Sequence, residues 1–248
     1  MPVVPVSRLE FMANTFYYLE FTDSKMDFHL TIPDHAACPN DRPKSAVPDW
    51  ARLSCHQCSH CKLTGVSAEY CPPACDMIDL VEHFSNSHSY DTVHLHMWKN
   101  GEMHTIRTDL QRALSYLYPA ILASSACPYA VLLSPMKKFG KPFPDLEDFL
   151  FYALSFGLIR NYLHDDQNRK TEDMLPASDQ AHTVALIFHG LLLRIRQSSM
   201  SDASVNALIK NIQWSWVTLH PKIFLRNHLE KYFAWQLKGS TEERRGCP

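Results

Sequence analysis

Residues 92–124 read TVHLHMWKNGEMHTIRTDLQRALSYLYPAILAS, and one aspartate in the middle separates two different periodicities. TVHLHMW (92–98) and EMHTIRT (102–108) flank Asn100-Gly101, a pair that supplies the positive φ angles of a tight hairpin turn. With that two-residue turn, His96 opposes Thr105 and Met97 opposes His104. His94 and His96 therefore share one strand face while His104 falls on the other. From Asp109, a residue suited to cap a helix, Leu110, Ala113, Leu114 and Leu117 recur on one helical face. Pro119 is expected to kink or end that helix. A hairpin leading directly into a helix sets the pattern for the rest of the chain.

Upstream, ANTFYYLEF (13–21) and MDFHLTI (26–32) flank the polar turn Thr22-Asp23-Ser24-Lys25. Phe28, Leu30 and Ile32 alternate with Asp27, His29 and Thr31, which predicts a second, earlier β-hairpin. Residues 33–50 carry Pro33, Pro39, Pro43 and Pro48 and read as an irregular connector. Pro72 and Pro73 suit a helix start, after which Met77, Leu80, Val81 and Phe84 mark one helical face. Downstream, residues 124–145 form a Pro-punctuated crossing, and Asp145 caps an apolar helix reaching Tyr162. Residues 165–180 read as a polar loop, followed by helices over 181–197, 202–219 and 223–237. Segregated strands and helices predict an α+β fold. Its parts are a strand-and-cysteine region, 1–128, packed as one unit with a helical region, 129–238, and a flexible tail, 239–248.

The chain has 248 residues, enough to bury roughly 70–75% of its unfolded surface. With 24 Lys and Arg against 26 Asp and Glu, it lacks the basic footprint of a nucleic-acid-binding protein. Its N-terminus has neither the charged start nor the unbroken apolar core of a secretory signal. The longest apolar runs, FLFYAL with FGLI (149–159) and VALIF with GLLL (184–193), are shorter than a bilayer span requires. These features predict a soluble cytoplasmic protein with no membrane span.

That compartment sharpens the reading of SCHQCSHCKLTGVSAEYCPPACDMIDL (54–80), which holds Cys55, Cys58, Cys61, Cys71 and Cys75. Reducing cytosol disfavours disulfides, so clustered thiols there point to metal or redox chemistry. Cys58-x₂-Cys61 places two thiolates on one side of a tetrahedral zinc ion, and Cys71 arrives nine residues later. The fourth ligand is open: Cys75 lies one turn along the helix that Pro72 begins, and Cys55, His56, His60 and Cys127 compete with it. An iron–sulfur cluster is the rival, because Cys55-x₂-Cys58-x₂-Cys61 followed by Cys71-Pro72 echoes a ferredoxin run, although the gap before Cys-Pro is too long. Zinc is the stronger reading.

Other chemistry has weaker signals. His94 and His96 read best as a solvated strand face, and His164-Asp165 lacks spaced partners. His182 and His189, seven apart, suit ordinary helix positions. No phosphate-binding or nucleophile motif is present, so no catalytic residue is assigned.

Over most of residues 13–240 the sequence resembles a bacterial domain of unknown function that carries a cysteine-rich knuckle. The most specific parts are PDWARLSCHQCSHCKL, YCPPACDMIDLVEHF, SYDTV, LQRALSYLYPAILASSACP and PMKKFGKPFP. The family's His-x-Cys-x-x-Cys-x-Leu element maps onto His56, Cys58, Cys61 and Leu63, and its later Cys-Pro onto Cys71-Pro72. A Ser-Gly-Cys-Pro element maps onto Ser125-Ala126-Cys127-Pro128. The positions of Cys55 and Cys75 are usually not cysteine in that pattern, so the resemblance implies Cys58, Cys61, Cys71 and Cys127 as the ligand set. This chain departs from the family at Tyr118-Pro119, where a Gly-containing step is usual, and at Phe139-Gly140, where Phe-His is more familiar. Such a family implies a fold and a metal site but no reaction.

The resulting expectation is a structural zinc, with four ligands closing the site, in a cytoplasmic protein that interacts with a protein partner or regulates one. The alternative is a zinc-dependent hydrolase or a thiol-redox or iron–sulfur protein, in which His56, His60 or a spare cysteine works beside an open metal position. Cys38 and Cys247 lie in the connector and the tail and are expected to be dispensable.

Overall fold

A computed structural model of the chain describes residues 14–21, 27–33, 47–164, 177–198 and 202–217. Strands β1 (Asn14–Phe21) and β2 (Asp27–Pro33) pair antiparallel with Leu19 opposite Phe28 and Tyr17 opposite Leu30. Strand β3 (Thr92–Lys99) pairs with the other side of β1, setting Leu95 against Leu19 and Met97 against Tyr17. Strand β4 (Glu102–Asp109) closes the order β2-β1-β3-β4. The register of the second hairpin is the one expected: His96 faces Thr105 and Met97 faces His104. Asn100 and Gly101 adopt φ of 54° and 83°, as a hairpin turn with two left-handed residues demands. The turn of the first hairpin lies outside the described residues, as does most of the Pro-rich connector.

Alternation decides which face of this sheet meets the core. Tyr17, Leu19, Phe21, Phe28, Val93, Leu95 and Met97 all turn to one side and are buried there, while Phe16 and Tyr18 on the other face of β1 are buried too. Helix α1 (Pro72–Asp76) starts at the expected proline, but the face made by Met77, Leu80, Val81 and Phe84 spans two short helices. Met77 bonds back to Ala74 before α2 (Ile78–His83) begins, a tightened turn that still buries all four side chains.

Helix α3 (Leu110–Ser124) begins as expected, with the Asp109 carboxylate accepting from the Arg112 N–H at 2.8 Å. It does not end at Pro119. A mid-helix proline costs about 3 kcal/mol, yet Leu117, Tyr118, Ile121 and Leu122 on either side of it are all buried. Tertiary burial on both flanks outweighs the local loss.

After a short helix, α4 (Ser134–Phe139), Asp145 and Asp148 cap α5 (Leu146–His164) reciprocally, each side chain accepting from the other's backbone N–H at 2.9 and 3.0 Å. Helix α6 (Ala177–Ser198) starts four residues earlier than the sequence pattern suggested, and α7 (Asp202–Val217) follows. The Asp202 carboxylate ties α7 to the loop before β3, accepting from the Ser89 N–H at 2.8 Å and its hydroxyl at 2.7 Å. The helix expected over 223–237 and the tail from 239 lie outside the described residues.

The architecture is thus mixed α+β: an antiparallel sheet built largely early in the chain, backed by helices that mostly come later. One apolar core joins the inner sheet face to α2, α3, α6 and α7, through residues such as Leu95, Phe84, Leu117, Phe188 and Leu208. Among the described residues, no helix is long and apolar enough to cross a membrane.

Candidate functional site

The cysteine-rich loop leaves the core at Leu53 and returns at Cys71. Its neck is closed by a short antiparallel bridge, with the Leu53 N–H donating to Glu69 O at 2.9 Å and the Cys71 N–H to Ala51 O at 2.8 Å. Within the loop, Cys58-x₂-Cys61 forms a turn in which the Cys61 N–H reaches Cys58 O at 3.0 Å. Cys71 occupies the position just ahead of α1, and Cys127 lies three residues beyond α3.

These stretches converge. Cys58, Cys61, Cys71 and Cys127 line one pocket of about 20 Å³, together with His60, Tyr129 and residues of α6. That is the room needed by a single water or ion. Among the described residues, no three His, Cys, Asp or Glu side chains are already drawn together as the ligands of a metal ion. The thiols ring the space without closing on it.

Two of the competing ligands point elsewhere. The Cys55 thiol donates to the Gln197 side-chain oxygen at 3.7 Å, while His56 Nε2 lies 2.7 Å from the Gln197 amide nitrogen. His56 also takes a positive φ, 43°, so the backbone turns sharply there. Neither residue lines the pocket, and neither does Cys75, whose N–H is spent on Cys71 O at 3.0 Å. His60 does line it. Its ring packs edge-on against Tyr129 at 4.6 Å, and the Tyr129 hydroxyl donates to His60 O at 2.6 Å. Both ring nitrogens of His60 are buried without a hydrogen-bond partner, and burial, helped by nearby His182, pulls its pKa below the ordinary histidine value.

Helix α6 supplies the floor of the site through residues that sequence reading passed over. Leu186, Gly190, Arg194 and Gln197, spaced four, four and three apart, form one helical stripe under the loop. The Cys58 thiol donates to Leu186 O at 3.9 Å. A Cβ on Gly190 would sit 3.3 Å from both the Cys58 sulfur and His56 O, so this glycine permits the close approach of helix and loop.

Arg194 is 2% exposed. Its guanidinium donates to three successive or near-successive carbonyls at the loop neck: Trp50 O at 2.8 Å, Arg52 O, and Leu53 O at 3.2 Å. Among the described residues no carboxylate pairs with it. The signal in the sequence was an arginine set amid the apolar run of α6, VALIFHGLLLRIR.

The electrostatics couple these groups. Burial pushes the Cys58 thiol up to about 11, with the neighbouring Cys71, Cys61 and Cys127 adding to the rise and Arg194 opposing it. Burial also raises Cys71, against the pull of Arg194 and of the Ala74 N–H that hydrogen-bonds its sulfur. Cys127 is raised by burial and eased downward by the backbone N–H groups of Tyr129 and Ala130. Without a metal these thiols are held neutral, yet the donors around two of the sulfurs are those that stabilise thiolate.

The chain matches the sequence profile of a family described as "Domain of unknown function (DUF6901)" over residues 15–231. No curated protein and no solved structure matches it.

Proposed function

As the chain belongs to this family of unknown function, we propose from its own residues that it is a zinc-stabilised interaction or regulatory protein of the cytoplasm. In this reading Cys58, Cys61, Cys71 and Cys127 hold one structural Zn²⁺. The observation that carries it is the convergence of thiols from three separated stretches on one ion-sized pocket beside a buried guanidinium.

The charge balance supports it. A buried cation without an anion is costly, by several kcal/mol even after relaxation. Neutral thiols do nothing to offset Arg194. A divalent ion that displaces their protons would leave a four-thiolate centre with a formal charge of −2, facing the buried Arg194 guanidinium. The volume supports zinc over an iron–sulfur cluster, since about 20 Å³ suits one ion and not several iron and sulfide atoms. Cys58, Cys61, Cys71 and Cys127 would hold the ion, which would supply a crosslink on the order of 10–16 kcal/mol of apparent binding energy coupled to folding. The protein's residues do the rest: the neck bridge sets the loop's entry and exit, Gly190 lets α6 approach, and Arg194 fixes three neck carbonyls.

A closed four-thiolate site leaves no position for water or substrate, which favours an interaction role over hydrolysis. One observation favours a second arrangement. His60, with two unpartnered buried nitrogens in the same pocket, would suit a site in which one thiolate is replaced and zinc-dependent hydrolysis or thiol chemistry becomes open.

Elemental analysis of protein made without added metal tests the reading. Close to one zinc per chain in a colourless sample is expected, and a brown sample with matched iron and sulfide overturns it. Cobalt substitution separates the two arrangements. An all-thiolate tetrahedral spectrum that azide leaves unchanged supports the closed site. A spectrum that shifts with azide, or turnover across an ester and phosphoester panel, supports the enzyme.

A further inference from the structure

Helix α5 is apolar around its whole circumference. From Phe149 to Leu163 it reads FLFYALSFGLIRNYL, with Arg160 as its single charged residue. A helix of that kind is normally enclosed on every side. Here one side is covered: Phe149 packs against Trp214 of α7 at 5.7 Å, and Phe156 against Phe139 of α4 at 6.2 Å. The other side is open. Phe151 is 43% exposed, Ile159 53%, Tyr162 77% and Leu163 76%.

Phe151, Ser155, Ile159 and Tyr162 follow one another at steps of four, four and three, so with Leu163 they make one helical stripe, about 18 Å long. No charged residue stands on it. Phe139, 67% exposed, widens the stripe on the α4 side through its contact with Phe156. Together the five large side chains leave roughly 600 Å² of apolar surface in water. That is as large as the largest patch a typical monomer carries, and patches of this size mark interaction sites. A stable interface of standard size takes about 800 Å² from each partner. The patch therefore supplies most of one side of such an interface.

We propose that this face of α5 is a dimer interface, covered by the same face of a second copy of this chain running antiparallel to it about Ser155. The surface is complementary to itself under that operation, as a two-fold interface requires. Phe151 and Ile159 stand four residues to either side of Ser155, so Phe151 of one copy meets Ile159 of the other. Ser155, the smallest residue of the stripe, falls on the axis, where the two helices come closest. An antiparallel pair also opposes the two helix dipoles favourably. Because the stripe has no charge, two copies bring none into the interface that would need a partner. The inference stands apart from the metal reading, since none of these residues lines the thiol pocket.

Sedimentation velocity and light scattering of the full-length protein from about 1 to about 100 µM test it, the upper limit set by the weakest interfaces of this size. The mass should rise from 28.5 kDa toward twice that value. Phe151→Asp and Ile159→Lys should each raise the dissociation constant roughly thirtyfold or more, because each strands a charge in an apolar interface. Mixed in equal amounts, the two variants should recover roughly tenfold of that loss, since the register sets the carboxylate of one against the ammonium of the other. Within one helix the two positions are eight residues apart, too far to pair. Recovery therefore reports contact between copies and shows that both variants are folded. Met103→Asp, on an exposed side chain of β4, should leave association unchanged. A mass fixed at 28.5 kDa throughout, dimers that neither substitution weakens, or a mixture no tighter than the single variants overturns the proposal.

Discussion

The loop at 53–71 and the sheet-to-helix core are built on opposite terms. In the core, Leu19, Leu95, Leu114, Leu117 and Leu208 are fully buried, and each contributes about 2 kcal/mol or more by leaving water. In the loop, the stretch from Ser54 to Tyr70 has no buried residue at all. It keeps its shape through the neck bridge, the Arg194 fan, the Gln197 contacts and whatever the four thiols hold. Apolar area specifies the first region redundantly; a few directional contacts specify the second, so single residues there carry far more of the outcome.

The largest effect should come from the thiols. Cys58→Ser, Cys61→Ser, Cys71→Ser and Cys127→Ser should each lose the proposed zinc and most of the folding energy coupled to it, on the order of 10–16 kcal/mol, whereas Cys75→Ser keeps both. Zinc content and denaturant midpoints measured across the five variants decide it. If Cys75→Ser is the damaging one and Cys127→Ser is harmless, the ligand set is wrong.

Next, Leu117→Ala in α3 should cost about 2–5 kcal/mol through lost burial and the remaining cavity, yet leave zinc stoichiometry at one. A core mutant that sheds metal at low denaturant would show that the two regions are not separable.

Arg194→Met removes the buried charge but strands three neck carbonyls. A loss of about 3 kcal/mol follows from those orphaned groups, with zinc affinity falling roughly 10–100-fold, as for other groups beside metal ligands. Competition with a chromophoric chelator reads the second effect. Unchanged affinity would reduce Arg194 to an anchor for the neck.

The smallest effect belongs to a tie within the core, between α7 and the loop before β3. Hydrogen bonds from Ser89, the larger influence being its hydroxyl, hold the Asp202 carboxyl below its usual pKa. A depressed carboxylate stabilises the fold above its unfolded pKa and loses that contribution as pH falls through the folded value. Asp202→Ala should therefore cost about 1 kcal/mol at neutral pH, at the low end because the carboxylate is exposed. The gap from wild type should close below pH 4, as urea melts at several pH values would show.

The sequence by itself determined what depends on neighbours along the chain. Asn100-Gly101 dictated a hairpin because two left-handed residues tolerate few alternatives, and the register of β3 and β4 followed from that turn alone. Pro72, Asp109 and Asp145 marked helix starts because capping is a contact within four residues. Alternation told which strand faces are apolar, and the C-x₂-C spacing with the later Cys-Pro singled out thiols as the chemistry worth following. The reading failed where distant groups decide. Of the two outcomes expected at Pro119, a kink or an end, the end does not occur, since burial on both its flanks comes from β-strands and α7. Met77 divides one expected helix in two, while its side-chain face stays as read.

Only the tertiary structure brought Cys127 to the pocket of Cys58, Cys61 and Cys71, 56 residues after Cys71, and turned Cys55 and His56 toward Gln197 instead. It alone made an arginine in an apolar helix the buried cation beside four thiols. It also buried the Asn211 side-chain nitrogen on α7 with no hydrogen-bond partner. Spacing along a chain fixes which groups can share a turn. Which groups share a low-dielectric interior, where an unpaired charge or donor becomes costly, is fixed only when separate elements pack.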